Sequence, residues 1–507
     1  MIKISKINEV YFLVEGVNPG DEIELQELAL EFQFTHPKSR FSKSFQMGDW
    51  DGEVRFMKFL NYYKEQALLP TGLLYDALQI CKRRKIKVKI DDFGIRKLDY
   101  LDRFDDYFSQ VIQPTLPSTI KIREYQLEAV KHALNVQKST MISPTGSGKS
   151  FIIYLFIRWV LDHDFKKGEK FLLVVPNVSL VDQMADDFIS YGYSKPNKIS
   201  RIYYGKEKNF NNSIIISTWQ SIHKKNYEWF DQFSGLIIDE THRAKSDRVQ
   251  FVTENCVNAR FRLGTTGTLQ SDLLEKYQVI GNLGYPFKTK STIELVEDGH
   301  LSPFIVKNTV LKWKSKEKFS FTSFDEEFTE IITNENRQKL MVNFINDVYT
   351  KNKIGTFLVL ASRVDYLNTL YDRLKEIHEN VYLIYGDIKP DKRQKILNEI
   401  KENGGILVAN IQIMGTGVNI PNVSNIVIAT PFKSADILAI QTIGRAIRLH
   451  PSKSIANIYD FFDKIPVKKR KHNNVFTWLN EKCLVYKKEG YHFENYQYEF
   501  NARERNL

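Results

Sequence analysis

Cysteine is scarce in this chain of 507 residues: Cys81, Cys256 and Cys483 are odd in number, far apart and without a CxxC spacing. That pattern speaks against a disulfide framework and against a thiolate zinc site, and it fits a reducing cytoplasm. Long apolar runs are missing too. The best candidate, FIIYLFIRWV at 151–160, is interrupted by Arg158 and is too short to cross a bilayer, and the opening MIKISKINEV has no signal-peptide core. The expectation is a soluble cytoplasmic protein with no membrane partner. Internal repeats and low-complexity tracts are absent as well, which sets aside solenoids and fibrous arrays. Negative charge is in deficit: 61 Asp and Glu face 72 Lys and Arg, a net charge of +11. A polyanion is the natural counterpart of such an imbalance. The excess is concentrated in CKRRKIKVK at 81–89, KWKSKEK at 312–318 and VKKRKH at 467–472. Taken singly, such a run is more often a solvated face than a contact.

Against these absences stand three motifs in order: SPTGSGKS at 143–150, LIIDETH at 236–242 and QTIGRAIR at 441–448. The first lies between the apolar TMIS and the helical pattern that starts at Lys149, so it reads as a strand, a glycine-rich loop and a helix. Such a loop cradles triphosphate oxygens on backbone N–H groups, here those of Pro144-Thr145-Gly146-Ser147-Gly148 and their neighbours, proline itself lacking one. Lys149 reaches the β- and γ-phosphates and Ser150 offers its hydroxyl to Mg²⁺. Asp239 follows the apolar GLII and therefore ends a buried strand, where open α/β sheets present ligand-binding residues. A carboxylate there holds Mg²⁺, and Glu240 beside it is placed as general base for the attacking water. The expected cofactors are ATP and Mg²⁺.

A chain of this length exceeds one hydrophobic core and calls for several domains of about 100–200 residues. From 140 to 266 short β-rich runs alternate with helical stretches, the rhythm of a parallel sheet covered on both faces. A second series runs from FLVLA at 357–361 to ANIYDFF at 456–462, without a phosphate loop. The reading is an α/β protein with two similar lobes, at 114–283 and 284–462, and a cleft that closes on nucleotide held by the first. Residues 1–113 end in the proline-marked QPTLPS and read as a separate small α/β domain; its aromatics set among cations, as in HPKSRFSKSF at 36–45, suit contact with a duplex backbone and equally suit a core. Residues 463–507 read as a helical appendage.

Taken together, these motifs resemble the superfamily 2 helicases, in particular the branch that remodels DNA duplexes, over roughly residues 118–460. The resemblance implies two tandem RecA-like lobes. IREYQLEAV at 122–130 is similar to the family's adenine-recognising segment, which assigns base contacts to Arg123 and Gln126. GTTGT at 264–268 resembles the hydroxyl motif that links hydrolysis to lobe movement. PNVSLVDQM and STWQS resemble strand-gripping motifs, with Ser179 and Thr218 as contacts, and the second lobe supplies Ser362, Arg363 and Thr416. Gly417, in GTGVNIP, faces nucleotide, and Asn419 stands where many members carry Asp. His242 couples the site to the second lobe or the strand track. In QTIGRAIR, Gln441, Arg445 and Arg448 are catalytic, with Arg448 the arginine finger and Arg445 its companion on one helix face. The implied function is ATP-dependent remodelling of single-stranded, duplex and branched DNA, or of an RNA–DNA hybrid, by a monomer. The alternatives are an RNA helicase, the motor portion of a nuclease, and a nucleic-acid-binding scaffold with an inactive ATPase.

Overall fold

The computed structural model describes residues 1–91, 103–195, 198–203, 212–241, 247–268, 272–351, 355–414, 420, 422–431, 444, 447–450, 454–468 and 470–502. The chain divides into two compact units: Met1–Ser143 with Gly148–Thr289, and Pro144–Ser147 with Lys290–Leu507.

In the first unit the chain opens with β1 (Ile2–Lys6), β2 (Tyr11–Gly16), the short pair β3 (Gln33–Thr35) and β4 (Glu53–Arg55), then β5 (Lys58–Phe59), β6 (Gln66–Pro70) and β7 (Val88–Ile90). Strands β5-β6-β2-β1-β7 make a sheet in which β1 and β7 pair in parallel and the other neighbours antiparallel. Its strands alternate in sequence, so Ile2, Ile4, Phe12 and Val14 face one core while their neighbours stay accessible. That core is not private. Leu274 and Ile280, from the helix Leu273–Leu283, belong to the same apolar cluster, and Tyr277 of that helix packs its ring against Phe32, Phe34 and Phe56. A Cβ added to Gly72 would lie 1.8 Å from the Ile280 carbonyl oxygen, so only glycine permits the approach. The amino-terminal sheet is therefore welded to the lobe that follows it, where a separate domain was expected.

That lobe contains β8 (Lys138–Ile142), β9 (Lys170–Val175), β10 (Ile199–Ile202), β11 (Ile214–Thr218), β12 (Phe233–Asp239), β13 (Phe261–Thr266) and β14 (Tyr285–Lys288). All seven are parallel, in the order β10-β11-β9-β12-β13-β8-β14. The central strands are buried nearly throughout because helices cover both faces. The helix Lys149–His163 is buried nearly all round from Phe151 to Ile157. The sheet continues past the expected boundary at 283: Pro286 sits in β14, an edge position where a missing N–H is tolerated.

The second unit is built on β15 (Phe304–Lys314), β16 (Thr356–Ala361), β17 (Val381–Ile384), β18 (Gly405–Asn410), β19 (Val423–Ile428), β20 (Ala456–Lys464) and β21 (Phe493–Asn501). These again form a seven-stranded parallel sheet, ordered β17-β18-β16-β19-β20-β15-β21. The carboxy-terminal segment does contain the expected helix, Asn474–Lys488, but its aromatic run is strand β21, paired along β15 from Val306↔Phe493 to Lys314↔Asn501. The helix is anchored as well: the Lys482 ammonium donates to both oxygens of Asp460 at 3.0 and 2.7 Å, and Tyr486 donates to the same carboxylate at 3.0 Å. The helix Asn474–Lys488 and strand β21 thus complete the second lobe instead of hanging from it.

Candidate nucleotide site and strand contacts

Register brings the nucleotide motifs of the first lobe together. Strands β12, β13 and β8 are neighbours, with Asp239 opposite Thr265 and Thr266 opposite Ile142. Parallel strands end on one edge, so the Asp239-Glu240 pair, the hydroxyls of GTTGT and the start of the phosphate loop emerge side by side. The Ser143 N–H donates to the Thr266 carbonyl at 2.9 Å, which ties the loop to the hydroxyl motif.

The loop itself is shaped by two glycines in left-handed backbone, Gly146 at φ 88° and Gly148 at φ 82°. A side chain at Gly148 would lie 2.8 Å from Gln126 Nε2. Gln126 is thus buried against the loop, and its Oε1 accepts the Arg123 N–H at 3.1 Å at the start of the helix Glu124–Val136. Arg123 donates to the Tyr125 hydroxyl at 3.3 Å. Within the loop the Ser147 hydroxyl donates to the Pro144 carbonyl at 2.8 Å. Lys149 donates to the Ser143 carbonyl at 3.1 Å, so the first residue of SPTGSGKS contributes its backbone oxygen to the site. The Ser150 hydroxyl shares a hydrogen bond of 2.9 Å with the Tyr191 hydroxyl.

The Asp239 carboxylate accepts the Thr265 hydroxyl at 2.7 Å. Burial, then the charge of neighbouring Glu240, push the Asp239 carboxyl up to about 6, while the Thr265 hydrogen bond and Lys149 pull it back. Two carboxylates crowded into a half-buried edge beside a lysine make a place where a hard cation and phosphate charge are welcome. Glu240 is held at φ 57°, a left-handed conformation that costs a non-glycine residue about 1–2 kcal/mol. Thr265 and Tyr191 are contacts that sequence reasoning left unassigned. The first stood inside a quoted motif; the second lies 41 residues from Ser150 with no spacing that marks it.

The proposed strand contacts are placed less uniformly. Ser179 is exposed and donates to Asn177 Oδ1 at 2.7 Å; Asn177, not Ser179, caps the helix Val178–Ser190 by accepting the Leu180 N–H. Thr218 ends β11 and is enclosed, its hydroxyl 3.0 Å from that of Ser221. In the second lobe Ser362 and Arg363 follow β16 directly. The Ser362 N–H donates to the Thr430 hydroxyl at 3.0 Å, and Arg363 donates to Asp325 at 3.0 Å while lying over the Phe328 ring. Arg448 lies in a bend, and its carbonyl accepts the Ser302 hydroxyl at 3.2 Å. His242, Thr416, Gly417, Asn419, Gln441 and Arg445 lie outside the described residues.

Fold and site define a P-loop ATPase with two tandem RecA-like lobes. The family profile "Type III restriction enzyme, res subunit" matches residues 119–271, and "Helicase conserved C-terminal domain" matches residues 335–450. The chain is a superfamily 2 helicase. It is 29% identical over 475 residues, 92% of each sequence, to the ATP-dependent DNA helicase uvsW of Enterobacteria phage T4. The crystal structure of T4 UvsW superposes with a TM-score of 0.50 at 25% identity, covering 98% of this chain and 99% of that one. It is also 23% identical over 43% of its length, and 47% of the relative's, to the DNA 3'-5' translocase XPB2 of Sulfurisphaera tokodaii. Dbp5 of S. cerevisiae, bound to RNA and ADP BeF3, shares the fold at a TM-score of 0.53 and 16% identity, over 75% of this chain and 94% of that one. Among the described residues no helix is long and apolar enough to cross a membrane.

Proposed function

We propose that this chain is an ATP-dependent DNA helicase or translocase that remodels branched DNA, such as forks, Holliday junctions and R-loops, in recombination, replication and repair. The observation that carries the reading is the convergence of Lys149, Asp239, Glu240 and Thr265 on one sheet edge. It occurs in a chain similar along 92% of its length to a DNA helicase. Lys149 exchanges the Ser143 carbonyl for the β- and γ-phosphates of ATP, and Gln126 with Arg123 holds the adenine. Ser150 and Asp239 supply the hard oxygen donors that Mg²⁺ prefers, and bound Mg²⁺ neutralises phosphate charge. Glu240 accepts the proton of the attacking water. Arg448, with Arg445 and Gln441, brings positive charge to the phosphoryl oxygens from the second lobe.

Ser179, Ser362, Arg363 and Thr416 grip one strand through its phosphodiester backbone; Thr218, enclosed and bonded to Ser221, is too buried for its hydroxyl to reach a strand. Residues 36–45 of the amino-terminal sheet domain grip duplex. In support, Phe41 is 84% exposed among the exposed cations Lys38, Arg40 and Lys43. The arginine assignment is tested with Arg448→Ala: ATP affinity within about threefold of wild type and turnover reduced about 10³-fold or more. Equal loss of binding and turnover would assign Arg448 to folding or binding.

A further inference from the structure

Two of the three basic runs in the sequence, separated by some 150 residues, meet in the second lobe. Strands β15 and β20 pair in parallel to their ends at Lys312↔Lys464, and the chain continues the pairing beyond them: Phe319 bridges Val467, with Phe319 N–H to the Pro466 carbonyl at 2.8 Å and Lys468 N–H to the Phe319 carbonyl at 3.0 Å. KWKSKEK and VKKRKH are thereby laid side by side. Lys312 and Lys314 are held by Glu499, whose carboxyl their hydrogen bonds lower to about 2. Beyond them Lys316, Lys318, Lys468, Arg470 and Lys471 are exposed, and none of the five is in an ion pair among the described residues. Arg470 donates to Asn474 Oδ1 at 2.6 Å. The acidic neighbours are Glu317, exposed between the lysines, and Glu327, which is buried and whose oxygens accept from Asn473, Asn474 and Val475 at the start of the helix Asn474–Lys488. A recess of about 60 Å³ opens between the runs, lined by Ser320, Lys468 and Arg470. By contrast, Arg83 and Arg84 of the third run are already paired with Glu31.

The position of this surface gives it meaning. All seven strands of the sheet are parallel, so the ends of β15 and β20 lie on the same edge as the end of β16, where Ser362 and Arg363 stand. In the order β16-β19-β20-β15 the surface begins two to three strand spacings away, about 10–15 Å. Single strands are gripped by cations interleaved with open aromatic faces on which bases stack. Here the rings beneath the cations, Phe319 and Phe321, stack on each other 5.9 Å apart, with Phe319 buried and Phe321 half-buried, so neither presents a fully open face. Cations without a stacking platform suit phosphates alone, the chemistry of a duplex backbone.

We infer that residues 314–320 together with Lys468, Arg470 and Lys471 form a contact surface for the phosphodiester backbone of double-stranded DNA, beyond the strand contacts at Ser362 and Arg363. The inference rests on the DNA-helicase reading above. The test compares wild type with Lys316→Ala/Lys318→Ala/Lys468→Ala/Lys471→Ala in the full-length chain. Fluorescence anisotropy with a labelled duplex, and separately with a labelled single strand, is followed across salt concentration. Each phosphate contact contributes about 0.9 to the slope of log K against log salt, so loss of two to four contacts lowers the duplex slope by about 1.8–3.6. ATPase activity stimulated by single-stranded DNA should stay at the wild-type level, and Lys166→Ala/Lys167→Ala, exposed before β9, should leave both slopes unchanged. An unchanged duplex slope, or a loss confined to the single strand, would overturn the inference. A wild-type protein without DNA-stimulated ATPase would instead overturn the helicase reading on which it stands.

Discussion

Glu240 shows how much one residue carries. Its backbone sits at φ 57°, a position that favours glycine, yet the chain keeps a carboxylate there, next to an Asp239 carboxyl raised to about 6. Strain and charge crowding both cost stability, and both are expected where a side chain is held for chemistry. Glu240→Gln preserves the shape and removes the proposed proton acceptor. The expected outcome is ATP binding near wild type with turnover lower by about 10²–10⁴, read from nucleotide titration and steady-state rates. Lys149, Ser150, Asp239 and Glu240 were legible from sequence because a phosphate loop and a strand-end carboxylate pair are local patterns. Thr265 and Tyr191 were not legible as partners, because register and tertiary approach choose them. Gln126 was legible as a motif residue, but its burial against Gly148 was not.

At the scale of elements, the apolar parallel strands β9, β12, β16 and β18 announced themselves, whereas β15 and β21 did not. The sequence of β15 ends in LKWK and reads as a basic run, and β21 is an edge strand rich in polar residues whose partner lies 187 positions away. Two ionic contacts hold these sheets and can be measured. Lys482 and Asp460 are both almost fully buried, so Lys482→Ala strands an uncompensated carboxylate and should destabilise the second unit by about 3–5 kcal/mol, seen as a lower thermal midpoint. In the first lobe Glu169 receives Arg260 at 2.6 and 2.8 Å and the Ser234 hydroxyl at 3.1 Å, which staples the starts of β9, β12 and β13. The Arg260 hydrogen bonds are the main reason its carboxyl lies at about 2, below the ordinary 4.5. A carboxyl lowered by folding stabilises the native state above its unfolded value and loses that contribution as pH falls. Glu169→Gln should therefore cost about 1 kcal/mol above pH 4.5, discounted for partial exposure, and the gap to wild type should close as pH falls toward about 2. Urea melts of both proteins between pH 2 and 7 check the sign.

For the whole molecule, the composition foretold a polyanionic partner but not where it would lie. Net charge is a sum over residues, and only the topology decides that the runs at 312–318 and 467–472 meet while Arg83 and Arg84 are partly neutralised at home. The division into domains was likewise only partly visible. The amino-terminal sheet has its own strands, but Leu274, Tyr277 and Ile280 complete its core. Deleting residues 1–113 would expose that apolar surface, so substitutions at exposed Lys38, Arg40 and Lys43 are the cleaner probe of a duplex grip. The central claim, a motor driven by ATP and engaged by branched DNA, is tested most directly by ATP hydrolysis. Rates are compared with no nucleic acid, single-stranded DNA, duplex, a four-way junction and RNA, with Lys149→Ala as the blank. The account predicts activity that requires Lys149 and is stimulated most by DNA, the junction above all. Stimulation by RNA alone, or no turnover under any condition, would contradict it.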